Sequence, residues 1–207
     1  MLKLYHCPDA RSLRCLWLFE ELTLPYELET MPFPPRVAAP HYLEVNPIGT
    51  VPYLVDGETT LNESPAILEY VAIKHGSGRC AVKPEEAVYG AWLNWLQFGE
   101  CALTVPLALY LRFAVFAPEE QRQPRIGADF CDLFSQRVPL VEQALVGQDY
   151  LCANRFTVAD ISVGYALFLC SRIGLAKLLS EPLTAYLARL TSRPAFITAR
   201  ARQKLKG

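Results

Sequence analysis

Apolar positions along the first 75 residues change rhythm several times. "LKLYH" (2–6) alternates as a strand does, and "SLRCLWLFEEL" (12–22) sets Leu13, Leu16, Trp17 and Phe19 mostly along one helical face. "PYELETM" (25–31) predicts a second strand, the proline-rich "PFPPRVAAP" a loop, and "HYLEVNP" (41–47) a short helix. "VPYLVDGETTLNES" (51–64) alternates on both sides of an Asp-Gly pair, which predicts a hairpin. "SPAILEYVAIKHG" (64–76) starts on Ser-Pro, stops at Gly and predicts a helix. The order βαβαββα describes a compact α/β unit. Beyond it only the helical period recurs, in segments 83–116, 124–146, 157–175 and 182–205.

The predicted fold class is therefore α/β plus all-α: an α/β domain over 1–76, a linker rich in glycine and basic residues over 77–83, and an all-helical domain over 84–207. With 52% hydrophobic and 11% aromatic residues, the chain suits a well-packed globular protein that hides further surface in a dimer. Its 20 basic and 21 acidic side chains nearly cancel, and no basic stripe marks a nucleic-acid partner. The charged "RARQKLK" (200–206) reads as a solvated tail. The most apolar run, 101–117, contains Pro106 and Arg112 and falls short of the ~20 apolar residues of a membrane span. It predicts a buried helix and no membrane partner.

"MLKLYH" is too short and too soon polar for an export leader. The seven cysteines form an odd set without a C-x-x-C pair, so reduced thiols in a cytoplasm are expected. The three histidines stand far apart, and no metal site is expected.

Three junctions in the first domain carry candidate chemistry. Pro52 opens a strand, where proline removes a backbone donor. It is either a plain strand-start proline or a cis one that frees the polar groups of Val51 for an extended ligand backbone. Ser64 and Pro65 suit a capped helix start, whose free N–H groups and dipole favour a carboxylate, while Glu63 beside them can hold an ammonium group. An ordinary capped helix fits the same residues. At "YHCPDARSLR" (5–14) a helix opens directly after a strand, a position that favours thiolate.

On these residues the chain resembles a glutathione S-transferase over nearly its whole length. "LYHCPDARSLRCLWLFEELTLPYEL", "NPIGTVPYLVDG" and "TLNESPAILEYV" resemble the family's thioredoxin-like unit, and "WLNWLQFGECALTVPL" its long fourth helix. "RFTVADISVGYAL" is similar to a structural folding element, in which Thr157 caps a helix, Asp160 returns the bond, and Phe156 and Ile161 stand at staple positions. The resemblance implies glutathione as co-substrate, an apolar electrophile or a peroxide as its partner, and a cytoplasmic, homodimeric transferase of the detoxification type. It implies Pro52 as a cis-proline, Val51 pairing with the cysteinyl unit, Thr50 lining the same pocket, and Glu63 and Ser64 gripping the γ-glutamyl end. It also implies Leu103, Leu107, Tyr110 and Phe113 as part of an apolar cleft, and Glu100 near the second subunit.

One position departs from the pattern. Aligning Arg14 with the family's usual arginine puts Ala10 where the family carries its thiol-activating Ser or Cys. Ser12 is then the expected donor to the sulfur, with Arg11 or the local amides assisting, although Ser12 can equally serve backbone groups in the first helical turn. Tyr5 is a lesser candidate. Cys7 could form a mixed disulfide with glutathione, and Asp9 reads as a helix cap. One pKa unit is ~1.4 kcal/mol and a helix N-terminus contributes about 0.3–1 kcal/mol, so a weak or specialised transferase is expected. The alternative is a non-catalytic glutathione-binding or protein-interaction module of the same fold.

Overall fold

The computed structural model of the protein describes residues 1–204; Leu205 and Lys206 of the predicted tail lie outside the described residues. The chain divides into two compact units, one of Met1–Ala81 with Thr191–Gly207 and one of Val82–Leu190.

In the first unit, β1 (Leu2–His6) pairs in parallel with β2 (Tyr26–Thr30) and antiparallel with β3 (Tyr53–Asp56), which turns at Gly57 into β4 (Thr59–Leu61). The strand order is β2-β1-β3-β4. Leu2, Leu4 and His6 of β1 are buried and Lys3 and Tyr5 are half-buried, as strand alternation requires. Gly57, at φ +62°, supplies the left-handed conformation of the Asp-Gly turn. The helices are α1 (Ser12–Leu22), a single turn α2 (Pro35–Ala38) and α3 (Ser64–Lys74), with a 3₁₀ turn at Pro40–Glu44. That 3₁₀ turn stands where a short helix was expected, and α2 lies inside the predicted loop. Prolines at its start hold a helical φ there.

The last helix, α4 (Pro194–Arg202), also belongs to this unit, packing along α1. Phe196 meets Trp17 edge-on at 4.8 Å, Arg193 forks onto Glu21 at 2.6 and 2.9 Å, and Arg202 pairs with Glu20 at 3.1 Å. The all-helical segment expected over 84–207 thus gives its last helix to the other unit. Periodicity reports that a segment is helical, not which neighbour its apolar side meets.

The second unit has no strand among the described residues. A continuous helical run covers Tyr89–Phe116, with π-turns at Gly99–Thr104 and Leu111–Phe116. Pro106 has no N–H for the carbonyl of Ala102, and Arg137 donates to that carbonyl instead at 3.2 Å. By length and composition alone this run could cross a membrane, with mean hydropathy 1.4, yet only 28% of its most apolar window is buried. The buried helix expected over 101–117 is therefore buried along one face only. Leu103 and Leu107 are closed, while Val105, Val115 and Phe116 are exposed. Gly99 lets the run touch the helix Val158–Arg172, because a Cβ there would come within 2.7 Å of the Val163 nitrogen.

The capping box at that helix is formed as expected. The Thr157 hydroxyl accepts from the Ala159 N–H at 3.3 Å, and Asp160 Oδ2 accepts from the Thr157 N–H at 2.8 Å. Asp160 Oδ1 further accepts from the Leu151 N–H at 3.0 Å and the Tyr186 hydroxyl at 2.7 Å.

Candidate functional site

The three junctions lie within the first unit, and two of them are joined by a buried cation. Arg14, on the inner side of α1, is fully buried, and its Nη1 donates to the Ser64 hydroxyl at 2.9 Å. Arg14 entered the sequence reading only as an alignment point. Its burial beside the apolar face of α1 is what sequence alone could not reveal. Ser64 was expected as the N-cap of α3. Instead Glu63 holds the cap position in extended backbone, and Ser64 and Pro65 begin the helix, leaving the Ser64 hydroxyl for Arg14. The Glu63 side chain makes no cap bond at this end and is exposed. An uncapped start, a hydroxyl held by a guanidinium and a neighbouring carboxylate have the chemistry to suit a group carrying both an anion and an ammonium.

The Val51–Pro52 peptide is cis and Pro52 is buried. No described residue bonds the Val51 backbone, which precedes β3 and is half-buried. Thr50 is exposed, and its carbonyl accepts from the Tyr42 hydroxyl at 2.8 Å and from Asn46 Nδ2 at 2.9 Å. Asn46 Oδ1 in turn accepts from the Ile48 N–H at 3.2 Å. Tyr42 and Asn46 thus fix the loop that presents Thr50 and Val51. Both were passed over in the sequence, although Asn46 opens "NPIGTVPYL", whose Asn-Pro pair signals such an Asx turn.

At the β1–α1 junction the structure corrects the expected donor. Ser12 is fully buried. Its hydroxyl accepts from the Cys7 N–H at 3.3 Å and lies 2.8 Å from His6 Nδ1 and 3.4 Å from the Cys7 carbonyl. The hydroxyl expected to face a sulfur is turned into the protein, because the buried His6 ring and the Cys7 amide need it there. Burial pulls the His6 ring down to about 4, and the Gln203 amide and Ser12 offset only part of this, so the ring is neutral near pH 7. The Cys7 thiol is equally closed, donates to the Pro32 carbonyl at 3.6 Å and is pushed up to about 12 by burial. It is therefore no candidate for a mixed disulfide.

Arg11 is half-buried and occupies the N-cap position of α1, with no side-chain cap bond. Ala10 is half-buried against Cys7, Met31, Ala39 and Tyr42. Tyr5 stands in a ring cluster, 5.3 Å from Tyr42 and 5.9 Å from Tyr53. Asp9, expected as a helix cap, instead adopts φ +56° and is held by Arg200 of α4 and by Gln203 just beyond that helix.

In the second unit Leu103 and Leu107 are sealed in the core and cannot line an open cleft, while Tyr110 and Phe113 are half-buried. Phe113 stacks on Phe130 at 6.2 Å and also borders an open cavity of about 550 Å³ with Arg112, Phe116 and Gln123. Among the described residues no cluster of His, Cys, Asp or Glu could hold a metal ion.

Residues 1–73 match the glutathione S-transferase N-terminal domain. Glutathione S-transferase 1 of Schizosaccharomyces pombe is 30% identical over 162 residues, spanning 76% of this chain and 70% of that protein. The crystal structure of a glutathione transferase from Methylococcus capsulatus superposes with a TM-score of 0.85 at 28% identity, over 98% of both chains. A sphingomonad glutathione S-transferase complexed with glutathione does so with a TM-score of 0.84 at 26% identity, over 99% of this chain and all of the other. A fold, a matched domain and a relative that agree in this way place the chain in the glutathione S-transferase family.

Proposed function

We infer that the chain binds glutathione along Thr50 and Val51 and joins its sulfur to an electrophile. The observation that carries this reading is the uncapped start of α3, where Arg14 holds the Ser64 hydroxyl and Glu63 stands exposed. The γ-glutamyl carboxylate lies on the α3 amides and Ser64, and its ammonium on Glu63. The cysteinyl backbone pairs with Val51. Two neighbours in structure were solved with glutathione or oxidised glutathione bound, which supports the same ligand here.

In this reading the thiol lies at the start of α1. With Ala10 offering no hydroxyl and Ser12 turned inward, the α1 amides and the Arg11 guanidinium stabilise the thiolate. The thiol proton passes to water, the sulfur lone pair forms the new bond to an apolar electrophile, and the leaving group departs with the bonding electrons. The enzyme acts in the cytoplasm, where its seven cysteines, none of them in a disulfide, remain reduced. It acts as a homodimer, with a second copy covering the exposed apolar face of Tyr89–Phe116, near which Glu100 stands.

Calorimetric titration with glutathione, followed by conjugation and peroxide assays, tests the reading. Binding with measurable conjugation is expected, and absence of binding overturns it. Binding without turnover of any electrophile or peroxide would leave a glutathione-binding module in place of an enzyme. Ala10→Ser should raise kcat about tenfold at neutral pH and shift the rate profile to lower pH, since a hydroxyl donor to the thiolate supplies about 1–1.5 kcal/mol. An unaltered profile would show that position 10 does not face the sulfur.

A further inference from the structure

We propose that Arg200 of α4 and Gln203 just beyond it are positioning residues for the thiol chemistry: they fix the Cys7–Arg11 turn and engage the Asp9 carboxylate, so that no uncompensated negative charge stands beside the docked sulfur. The inference rests on the reading that a thiol reaches the start of α1.

The backbone carries the first part. Asp9 is at φ +56°, a left-handed conformation uncommon outside glycine, although Asp and Asn tolerate it best. Gln203 is buried and grips this residue twice. Its Oε1 accepts from the Asp9 N–H at 2.9 Å, and its Nε2 donates to Asp9 Oδ1 at 3.1 Å. Arg200, three residues earlier on the same helical face, pairs through Nη1 with that same Oδ1. A helix that only covered the apolar side of α1 would need no more than the Phe196–Trp17 contact. Here two polar side chains, about 190 positions along the chain from Asp9, converge on the residue before Ala10.

Charge carries the second part. A bare carboxylate beside a thiol opposes its ionisation, whereas an ion-paired one does so less. The other groups facing this turn are His6 and Tyr5 from β1, Cys7 in the turn itself, Arg11 and Arg14 from α1, and Tyr42 and Tyr53 across the sheet end. His6 and Cys7 are uncharged near pH 7, so Asp9 is the anion of the set and Arg200 the cation that pairs with it.

The test uses the full chain with saturating glutathione and follows the ultraviolet absorbance of the bound thiolate against pH. Arg200→Gln should raise the apparent pKa of the bound thiol by about one unit and lower kcat at neutral pH by about tenfold, with the Kd for glutathione within about threefold of the parent. Adding Asp9→Asn to Arg200→Gln should return the pKa to the parent value, which a purely structural role for α4 would not do. An unmoved pKa in Arg200→Gln, or a raised one that Asp9→Asn leaves in place, overturns the inference. Should Arg200→Gln not fold, Asp9→Asn alone decides: it removes the negative charge beside the sulfur while keeping the Arg200 cation and should lower the thiol pKa, and no change overturns the proposal. A parent chain that binds no glutathione overturns the underlying reading as well, whereas normal binding with an unmoved thiol overturns this inference alone.

Discussion

Asp160→Ala is expected to lower the melting temperature by roughly 6–12 °C, read as the midpoint of a circular-dichroism melt. The side chain is fully buried, and its two oxygens accept from the Thr157 and Leu151 amides, the Thr157 hydroxyl and the Tyr186 hydroxyl. Burial raises its carboxyl above the usual range, and these four donors pull it back. Alanine removes the return half of the capping box, which costs about 1 kcal/mol, and leaves buried donors without an acceptor at about 1–3 kcal/mol each. Part of that is relieved as Thr157 and Tyr186 rotate, so about 3 kcal/mol is a reasonable sum. For a chain of this size each kcal/mol moves the midpoint by about 2–4 °C. A midpoint within 2 °C of the parent would show that neighbouring loops reseal the gap. Asp160→Asn should fall between the two, because its amide keeps the shape but turns a donor toward donors.

Ser64→Ala should weaken glutathione binding about 10- to 100-fold in calorimetric titration. The hydroxyl stands at the α3 start where the γ-glutamyl carboxylate is held in the reading above, and a hydrogen bond to a charged group contributes about 1.5–3 kcal/mol. Arg14 loses the oxygen that tethers its Nη1 across to α3, so its charge is no longer relayed to the ligand. This anchor grips the peptide end, remote from the sulfur. The loss should therefore appear in KM for glutathione, with kcat at saturation nearly unchanged. Affinity within twofold of the parent would place the ligand elsewhere.

Much of the first unit is legible in the residues themselves. β1 and α1 begin and end where the change of period places them, and the Asp-Gly turn sets the hairpin. Thr50 entered only through the family resemblance, whereas Glu63 and Val51 were reachable as candidates because junction position and residue type together define what they can offer. Three features were not. Ser64 misses its expected cap role by one position, since Ser-Pro fits the cap and the first turn alike and only Arg14, fifty residues earlier, decides between them. The inward turn of Ser12 depends on His6, whose burial in β1 is a tertiary fact. The grip of Gln203 on Asp9 joins positions 194 apart, and no local pattern encodes a pairing of that range.

That α4 returns to the first unit bears on how the protein is made. The ribosome releases the sheet and α1 long before Phe196, so Trp17 waits uncovered while the whole helical unit is synthesised. A nascent chain arrested anywhere before residue 191 would display that aromatic surface to chaperones. The first unit becomes complete only as α4 emerges.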